Sequence, residues 1–317
     1  MLALLSLLSL LPVALTLPLL GFEHARFLGL GDSTDDNSAT DTPTALDLAS
    51  VNATFLKPAL FARVAYCSSA SITSWSCGAP CQALKNITFL QSGGDEGAIP
   101  LYYIAHDGTD NSLVVAHEGT DPKKLLSILN DAQFGLVALN SSRFPDSVGQ
   151  NITVHDGFQQ TFERTADGLL AGVMSGLAST GATKVFVTGH SLGAALATMT
   201  GALIKTNVPS SVPVEITGFG LPRGGNEEWA NFLDTIGVNF MSNQNDPVPT
   251  VPPKFLGFQH SSGEAHIIDP STPNIVSCPG QDNENCATGN SLLDISIPNH
   301  LGPYFNGLSF GGSQCDD

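Results

Sequence analysis

The 317-residue sequence predicts an α/β fold: a mainly parallel sheet with helices on both faces. Short β-branched and aromatic runs alternate with amphipathic or Ala-rich segments, and the apolar run at 184–188 is typical of a buried parallel strand. A hydrophobic share of 42% suffices for one large core. With 13% charged residues, the net charge of −17 argues against nucleic acid and strongly anionic membranes as partners.

The elements follow in chain order. Residues 51–67 have apolar residues at roughly helical spacing, and Pro58 should divide them into two short helices. Two strands are predicted at 98–107 and 112–119, so one side of the sheet should be antiparallel. Further along, helices are predicted at 157–180, 192–205 and 226–237, and strands at 184–188, 214–220 and 238–246.

The N-terminal segments point to export. Residues 1–20 are apolar and lack charged side chains, which is typical of a signal peptide; a membrane anchor is the alternative. Residues 21–50, polar and acidic over most of their length, are interpreted as a flexible leader or propeptide before a domain at 51–317. Four N-x-[ST] sequons predict glycosylation, which also fits a secreted, extracellular protein; they begin at Asn52, Asn86, Asn140 and Asn151.

The six cysteines fit disulfide bonds formed in an oxidising compartment. Two pairs are close enough in sequence for local bridges, which would leave a third pair to join the start of the domain to its end. These pairs are Cys77 with Cys81, Cys278 with Cys286, and Cys67 with Cys315. Zinc binding is the alternative, but no second cysteine pair stands near histidines at zinc-finger spacing.

Ser191 is the candidate nucleophile. It stands in a G-x-S-x-G pattern, Gly189–Gly193, between a predicted strand and a predicted helix. A nucleophile elbow needs that order, because flanking glycines allow a sharp turn and the helix N-terminus then faces the serine. A small residue in an ordinary tight turn is the alternative.

A serine nucleophile needs a base and a carboxylate that orients it. Asp246 directly follows a predicted strand and should lie at the same sheet edge as Ser191, whereas Asp269 is the alternative. His260, His266 and His300 all follow Asp246, so the usual order of serine, acid and histidine does not separate them.

An oxyanion hole needs two donors. The backbone N–H of Leu192 follows from the elbow, and Thr120 in "HEGTDP" can offer its N–H and hydroxyl after an early strand. A plain turn is an equally good interpretation of "HEGTDP".

Seven short segments together resemble the fungal class 3 lipase family, in the family's order and over roughly residues 50–317. They are "VAYC" (64–67), "HEGT" (117–120), "VHDGF" (154–158), "GHSLGAALA" (189–197), "GFGLPRGGN" (218–226), "NDPVPTVPP" (245–253) and "PNHLGPYF" (298–305). The resemblance implies an α/β-hydrolase fold and an acyl-ester hydrolase without metal or cofactor.

The resemblance also implies particular roles. It favours His300 among the histidines and so predicts the triad Ser191, Asp246 and His300, with Thr120 and Leu192 as the oxyanion hole. It further implies the disulfide bonds Cys67–Cys315 and Cys77–Cys81. The chain departs from the family at Glu118–Thr120, where Arg-Gly-Ser is frequent, and the Cys278–Cys286 loop resembles one in the related feruloyl esterase branch.

A lid is expected around residues 121–136. Its apolar residues are Leu125, Leu126, Ile128 and Leu129, and such an amphipathic helix could open at a lipid surface. A helix packed on the sheet is the alternative. The leucines favour acylglycerol esters at an oil–water interface, cleaved by a monomeric enzyme. The alternatives are a feruloyl esterase or general carboxylesterase, and a catalytically dead lipid-binding relative.

Overall fold

The computed structural model of the protein describes residues 42–95, 97–124, 134–291 and 293–316. The predicted signal peptide, most of the predicted leader and the predicted lid residues Leu125, Leu126, Ile128 and Leu129 lie outside these ranges. Within the described part of the chain, no helix has the length and hydropathy needed to span a membrane.

Eleven strands are described. In chain order they are β1 Thr44–Ala45, β2 Ile87–Gly93, β3 Tyr102–Asp107, β4 Ser112–His117, β5 Leu136–Ala138, β6 Thr153–His155, β7 Lys184–His190, β8 Val214–Phe219, β9 Val238–Asn243, β10 Glu264–Asp269 and β11 Asn274–Cys278. Nine of them form one sheet in the order β1-β11-β10-β9-β8-β7-β4-β3-β2, while β5 pairs only with β6.

The sheet is parallel at its centre and antiparallel at both sides. Neighbours from β4 through β7, β8 and β9 to β10 run parallel. On one side β2, β3 and β4 form an antiparallel meander, and on the other β11 runs antiparallel to both β10 and β1. The predicted α/β fold and its antiparallel side are confirmed, and the second antiparallel side was not predicted.

Helices cover both faces of the sheet. They are α1 Leu48–Val51, α2 Lys57–Val64, α3 Ser69–Thr73, α4 Ala79–Gln82, α5 Asp156–Glu163, α6 Ala166–Thr180, α7 Leu192–Asn207, α8 Glu227–Ile236 and α9 Ile297–Leu301. Along β4, Leu113 and Val115 enter the core beneath α6 and α7, whereas Val114 and Ala116 enter the core beneath α2. This alternation explains why the central strands are apolar on both faces.

Three predicted boundaries are wrong. The folded chain begins before Val51, because β1 pairs with β11 and Asp47 caps α1 by accepting the N–H of Ser50 at 2.8 Å. Part of the polar segment predicted to be a flexible leader is therefore folded. Pro58 does not separate two helices, because a π-helical segment at Asn52–Leu56 joins α1 to α2 without a break. The helix predicted at 157–180 is divided into α5 and α6.

All six cysteines are in disulfide bonds. The bonds join Cys67 to Cys315, Cys77 to Cys81, and Cys278 to Cys286. The first spans a sequence separation of 248 residues and ties the segment directly after α2 to the C-terminal segment. Because it closes so long a loop, it removes much conformational freedom from the unfolded chain.

The four sequons differ in their surroundings. Asn86 and Asn151 are exposed; Asn86 directly precedes β2, and Asn151 lies two residues before β6. Asn140 is half-buried, and its Nδ2 donates to Glu163 Oε1 at 2.7 Å. Asn52 is half-buried in the π-helical segment.

We expect glycans at Asn86 and Asn151 in the secreted protein and an empty sequon at Asn140. A glycan is attached through Nδ2, so a sugar at Asn140 would crowd the contact with Glu163, whereas the two exposed asparagines project from the surface. Enzymatic deglycosylation in heavy-oxygen water followed by peptide mass spectrometry reports occupancy at each site. High occupancy at Asn140 would contradict this expectation.

Candidate active site

Ser191 occupies a sharp turn between β7 and α7, at the carboxyl end of the parallel strands. Its φ of 60° and ψ of −130° form a conformation that a non-glycine residue keeps only when its surroundings enforce it. The Ser191 N–H donates to the Phe219 carbonyl at 2.9 Å, and the N–H of Ala194 donates to the Ser191 carbonyl at 2.9 Å. The segment therefore has the strand–turn–helix form of a nucleophile elbow.

Both glycines of the pentapeptide are required by close backbone contacts. A Cβ on Gly189 would lie 2.2 Å from the carbonyl oxygen of Gly193. A Cβ on Gly193 would lie 2.5 Å from the carbonyl oxygen of His117, at the end of β4. Only glycine at both positions lets the first turn of α7 pack against the strand ends.

Asp246 and His300 form a buried hydrogen-bonded pair. Asp246 follows β9, His300 lies in α9, and His300 Nδ1 is 2.8 Å from Asp246 Oδ2. The second carboxylate oxygen accepts the N–H of Val248 at 2.8 Å. Within the described ranges, His300 Nε2 is buried and has no hydrogen-bond partner. With its proton on Nδ1, neutral His300 has a lone pair on Nε2 that can accept a proton.

Gly220 provides room for this pair, and its role was missed in the sequence. It follows β8 with a φ of +52°, and a Cβ there would lie 2.7 Å from His300 Cε1 and 3.1 Å from Asp246 Oδ2. The sequence signal for Gly220 is its place in the segment "GFGLPRGGN" (218–226), which belongs to the family resemblance.

Thr120 and Leu192 lie at the same cavity. They line a space of about 370 Å³ next to the Ser191 turn. Gly119, the residue before Thr120, passes so close to the Ser191 turn that a Cβ on it would lie 2.4 Å from the carbonyl oxygen of His190. The structure thus brings the two predicted oxyanion residues together.

The other two candidate histidines bond elsewhere. His260 Nε2 is 2.8 Å from the carbonyl oxygen of Pro249, and His266 Nδ1 is 2.8 Å from Ser242 Oγ. Burial lowers the pKa of each to about 4, so both stay neutral at neutral pH. His300 is the candidate that the structure places against Asp246.

Asp269, the alternative carboxylate, closes a surface turn. Its Oδ1 accepts the N–H of Ser271 at 2.8 Å and the Ser271 hydroxyl at 2.7 Å. The carboxylate that contacts His300 belongs to Asp246.

Arg223, also unnoticed in the sequence, holds the loop that begins at the Asp246 carboxylate. One guanidinium nitrogen donates to the carbonyls of Thr250 and Pro252 at 2.7 and 3.0 Å. The other two donate to Asp282 Oδ1 at 2.9 and 2.8 Å, inside the loop closed by Cys278 and Cys286. A buried ion pair therefore links the third disulfide loop to the acid loop.

Glu264 is a buried carboxyl on β10, which pairs with β9, the strand that precedes Asp246. Its Oε1 accepts the Ser242 hydroxyl at 2.5 Å and the N–H of Ala287 at 3.2 Å. Burial, only partly offset by these hydrogen bonds, raises the pKa of Glu264 to about 7. Glu264 is therefore protonated in mildly acidic solution and becomes a buried charge above neutrality.

Comparison with known proteins identifies similar chains. Residues 114–256 match the family described as lipase (class 3). The chain is 34% identical over 226 residues to a secreted mono- and diacylglycerol lipase, LIP2, of Malassezia restricta, with 70% of each chain covered. It is 31% identical over 292 residues to the secreted mono- and diacylglycerol lipase MDL3 of Malassezia globosa, covering 89% of this chain and 91% of that one.

Solved lipase structures share the fold. The Lip2 lipase of Yarrowia lipolytica superposes with a TM-score of 0.72 at 24% identity, covering 85% of this chain and 98% of that one. A Rhizomucor miehei triacylglyceride lipase gives a TM-score of 0.73 at 22% identity, with 85% and 99% covered. The α/β-hydrolase fold is confirmed by these superpositions.

We expect Glu264 to make stability fall as pH rises. Its folded pKa of about 7 lies above its ordinary value of 4.5, so its contribution is complete below pH 4.5 and is lost as pH rises through 7. The difference corresponds to roughly 3 kcal/mol. In urea unfolding, the stability of the wild type relative to Glu264→Gln should fall by about that amount between pH 4.5 and 8, and a difference independent of pH would contradict the assignment.

Proposed function

Because this chain belongs to the fungal class 3 lipase family, we propose that it is a secreted serine hydrolase that cleaves the carboxylic ester bonds of acylglycerols. The observation that most supports this proposal is the buried Asp246–His300 hydrogen bond beside the strained Ser191 turn. The relatives named as secreted mono- and diacylglycerol lipases support both the substrate class and export.

The first half of the proposed reaction forms an acyl-enzyme. His300 Nε2 takes the hydroxyl proton of Ser191 as its oxygen attacks the ester carbonyl. The oxyanion that forms is stabilised by backbone N–H groups of Thr120 and Leu192 and by the partial positive charge at the α7 N-terminus. Asp246 holds the imidazole through Nδ1 and stabilises its charged form.

The second half of the proposed reaction releases the fatty acid. It begins once the first intermediate has collapsed: the ester C–O bond breaks, protonated His300 gives its proton to the leaving alcohol, and the acyl-enzyme remains. His300 then takes a proton from a water molecule that attacks the acyl carbonyl. Collapse of the second tetrahedral intermediate returns the proton to Ser191. Each step reuses the same base, so no other titrating group is needed.

Exposed apolar side chains near the site support action at a lipid surface. Phe255 and Leu293 are 85% and 99% exposed, the first on the loop after Asp246 and the second shortly before His300. The side chain of Asn245 donates to Asp294 at 3.0 Å, which ties the Leu293 segment to the acid loop. The net charge of −17 favours neutral acylglycerols over anionic lipids, and the lid expected at 121–136 would open at the same surface.

We expect Ser191→Ala to lower kcat for a soluble short-chain ester by at least about 10⁴-fold, because the nucleophile is lost. Asp246→Asn should also lower kcat severely, because the imidazole loses the partner that fixes its tautomer. Asp269→Asn is the matched control and should keep the wild-type rate. Near-normal turnover by the Ser191 variant would overturn the assignment.

We expect a second set of variants to separate chemistry from interfacial binding. Phe255→Ala with Leu293→Ala should reduce hydrolysis of an acylglycerol emulsion several-fold but leave a dissolved short-chain ester unaffected, because buried apolar area drives adsorption. The exposed Val148 and Met174, changed together to alanine, provide the control. Equal emulsion rates for both double variants would contradict a role for these loops.

A series of ester substrates distinguishes a lipase from a feruloyl esterase. Rates on esters of increasing acyl length, measured below and above the solubility limit, should rise sharply at that limit for a lipase. Methyl hydroxycinnamates cleaved faster than acylglycerols would instead support the feruloyl esterase alternative.

A further inference from the structure

Tyr66 and His190 form a buried pair next to the proposed active site, and Tyr66 lines the same cavity as Thr120 and Leu192. His190 is the residue before Ser191 and is completely buried, and Tyr66 is 8% exposed. The tyrosine hydroxyl lies 2.6 Å from His190 Nδ1. His190 Nε2 lies 2.8 Å from the backbone carbonyl oxygen of His300.

The partners fix where the protons lie. A carbonyl oxygen can only accept, so His190 Nε2 carries the proton and donates it to His300. In the neutral ring Nδ1 is then an acceptor, and the Tyr66 hydroxyl donates to it. The Tyr304 hydroxyl donates to the same His300 carbonyl at 3.2 Å, so that carbonyl has two side-chain donors.

The Tyr66–His190 pair is next to the nucleophile Ser191, the base His300 and the oxyanion loop at Gly119–Thr120. Its histidine is covalently joined to Ser191, and its ring centroid lies 4.4 Å from that of His300. The oxyanion loop rests against the pair, because a Cβ on Gly119 would lie 2.2 Å from the Tyr66 hydroxyl oxygen. The mechanism outlined above uses neither Tyr66 nor His190.

We propose that the Tyr66–His190 pair is a positioning element that sets the distance and angle between the Ser191 hydroxyl and the His300 ring. The inference rests on the proposed function. α9 has only five residues, so its own hydrogen bonds hold His300 weakly. His190 links the two residues directly: it is bonded to Ser191 through the backbone, and its ring donates one hydrogen bond to the His300 carbonyl.

The positioning role requires a neutral His190. Burial, together with the nearby His300, holds the pKa of His190 well below its ordinary value. The groups that face the ring are the side chains of Tyr66, His300, Tyr304 and Phe310. Asp246 lies beyond His300, and the Glu118 charge acts on Tyr66. A cation at His190 would oppose the imidazolium that forms on His300.

The test compares two buried tyrosines. Tyr66→Phe removes the hydroxyl that orients His190, whereas Tyr103→Phe removes a buried hydroxyl that donates to the Phe61 carbonyl at 2.9 Å, away from the site. Measured on a dissolved short-chain ester, Tyr66→Phe should lower kcat about tenfold with KM unchanged, and Tyr103→Phe should leave both unchanged.

A second pair of variants tests His190 itself. His190→Gln keeps a side-chain N–H for the His300 carbonyl, whereas His190→Leu removes it. We expect kcat to fall by about 100-fold or more for leucine and by roughly tenfold for glutamine, because one donor is retained. Rescue by glutamine is a result that a purely structural role would not produce if both variants have the same unfolding midpoint.

The outcomes separate this inference from the proposed function. An inactive wild type would overturn the proposed function. An active wild type whose Tyr66→Phe variant keeps its kcat, or loses as much as Tyr103→Phe, would overturn the positioning role. A change confined to KM would overturn it as well, because misaligned Ser191 and His300 lower the rate of the chemical step. Should His190→Leu not fold, the tyrosine comparison still decides.

Discussion

The left-handed backbone at Ser191 is the constraint on which the rest of the site depends. Holding a serine at a φ of 60° costs on the order of 1–3 kcal/mol, which the packing of β7 and α7 must offset. In that packing, a Cβ on Gly189 would lie 2.2 Å from the carbonyl oxygen of Gly193, and a Cβ on Gly193 would lie 2.5 Å from the carbonyl oxygen of His117. The turn is therefore possible only with these glycines.

The loops that meet Ser191 are held by buried polar contacts rather than by regular structure. Arg223 fixes the acid loop through the carbonyls of Thr250 and Pro252. Asn243 donates to the carbonyls of Asn299 and Pro303 at 2.8 and 3.1 Å and so fixes both sides of the His300 turn. The buried side-chain donors of Arg223 and Asn243 all have partners, and these hydrogen bonds hold the two loops in place.

Local patterns predicted the centre of the sheet, and tertiary contacts determined the rest. β3, β4, β7, β8 and β9 carry dense apolar runs, so periodicity identified them. β10 and β11 were missed because Glu264, His266 and Ser277 make them look like loops, although their polar groups are paired or partly buried in the fold. The π-helical segment likewise depends on packing around Phe55, which no local pattern reveals.

The residues of the site were predictable to different degrees. The G-x-S-x-G spacing indicates Ser191 directly. Three histidines follow Asp246 in the chain, so their order does not separate them; the resemblance favours His300, and the hydrogen bonds place His300 against Asp246. The importance of Gly220 and of His190 depends on what lies opposite each in space, so spacing in the sequence could not identify it.

The central claim is that Ser191 is a nucleophile activated by a buried histidine–aspartate pair. Incubation with an alkyl fluorophosphonate, followed by intact-mass measurement and peptide mapping, tests it most directly. The structure predicts one adduct per chain, located on Ser191. Failure to react, or an adduct at another residue in a protein that still hydrolyses esters, would contradict the claim.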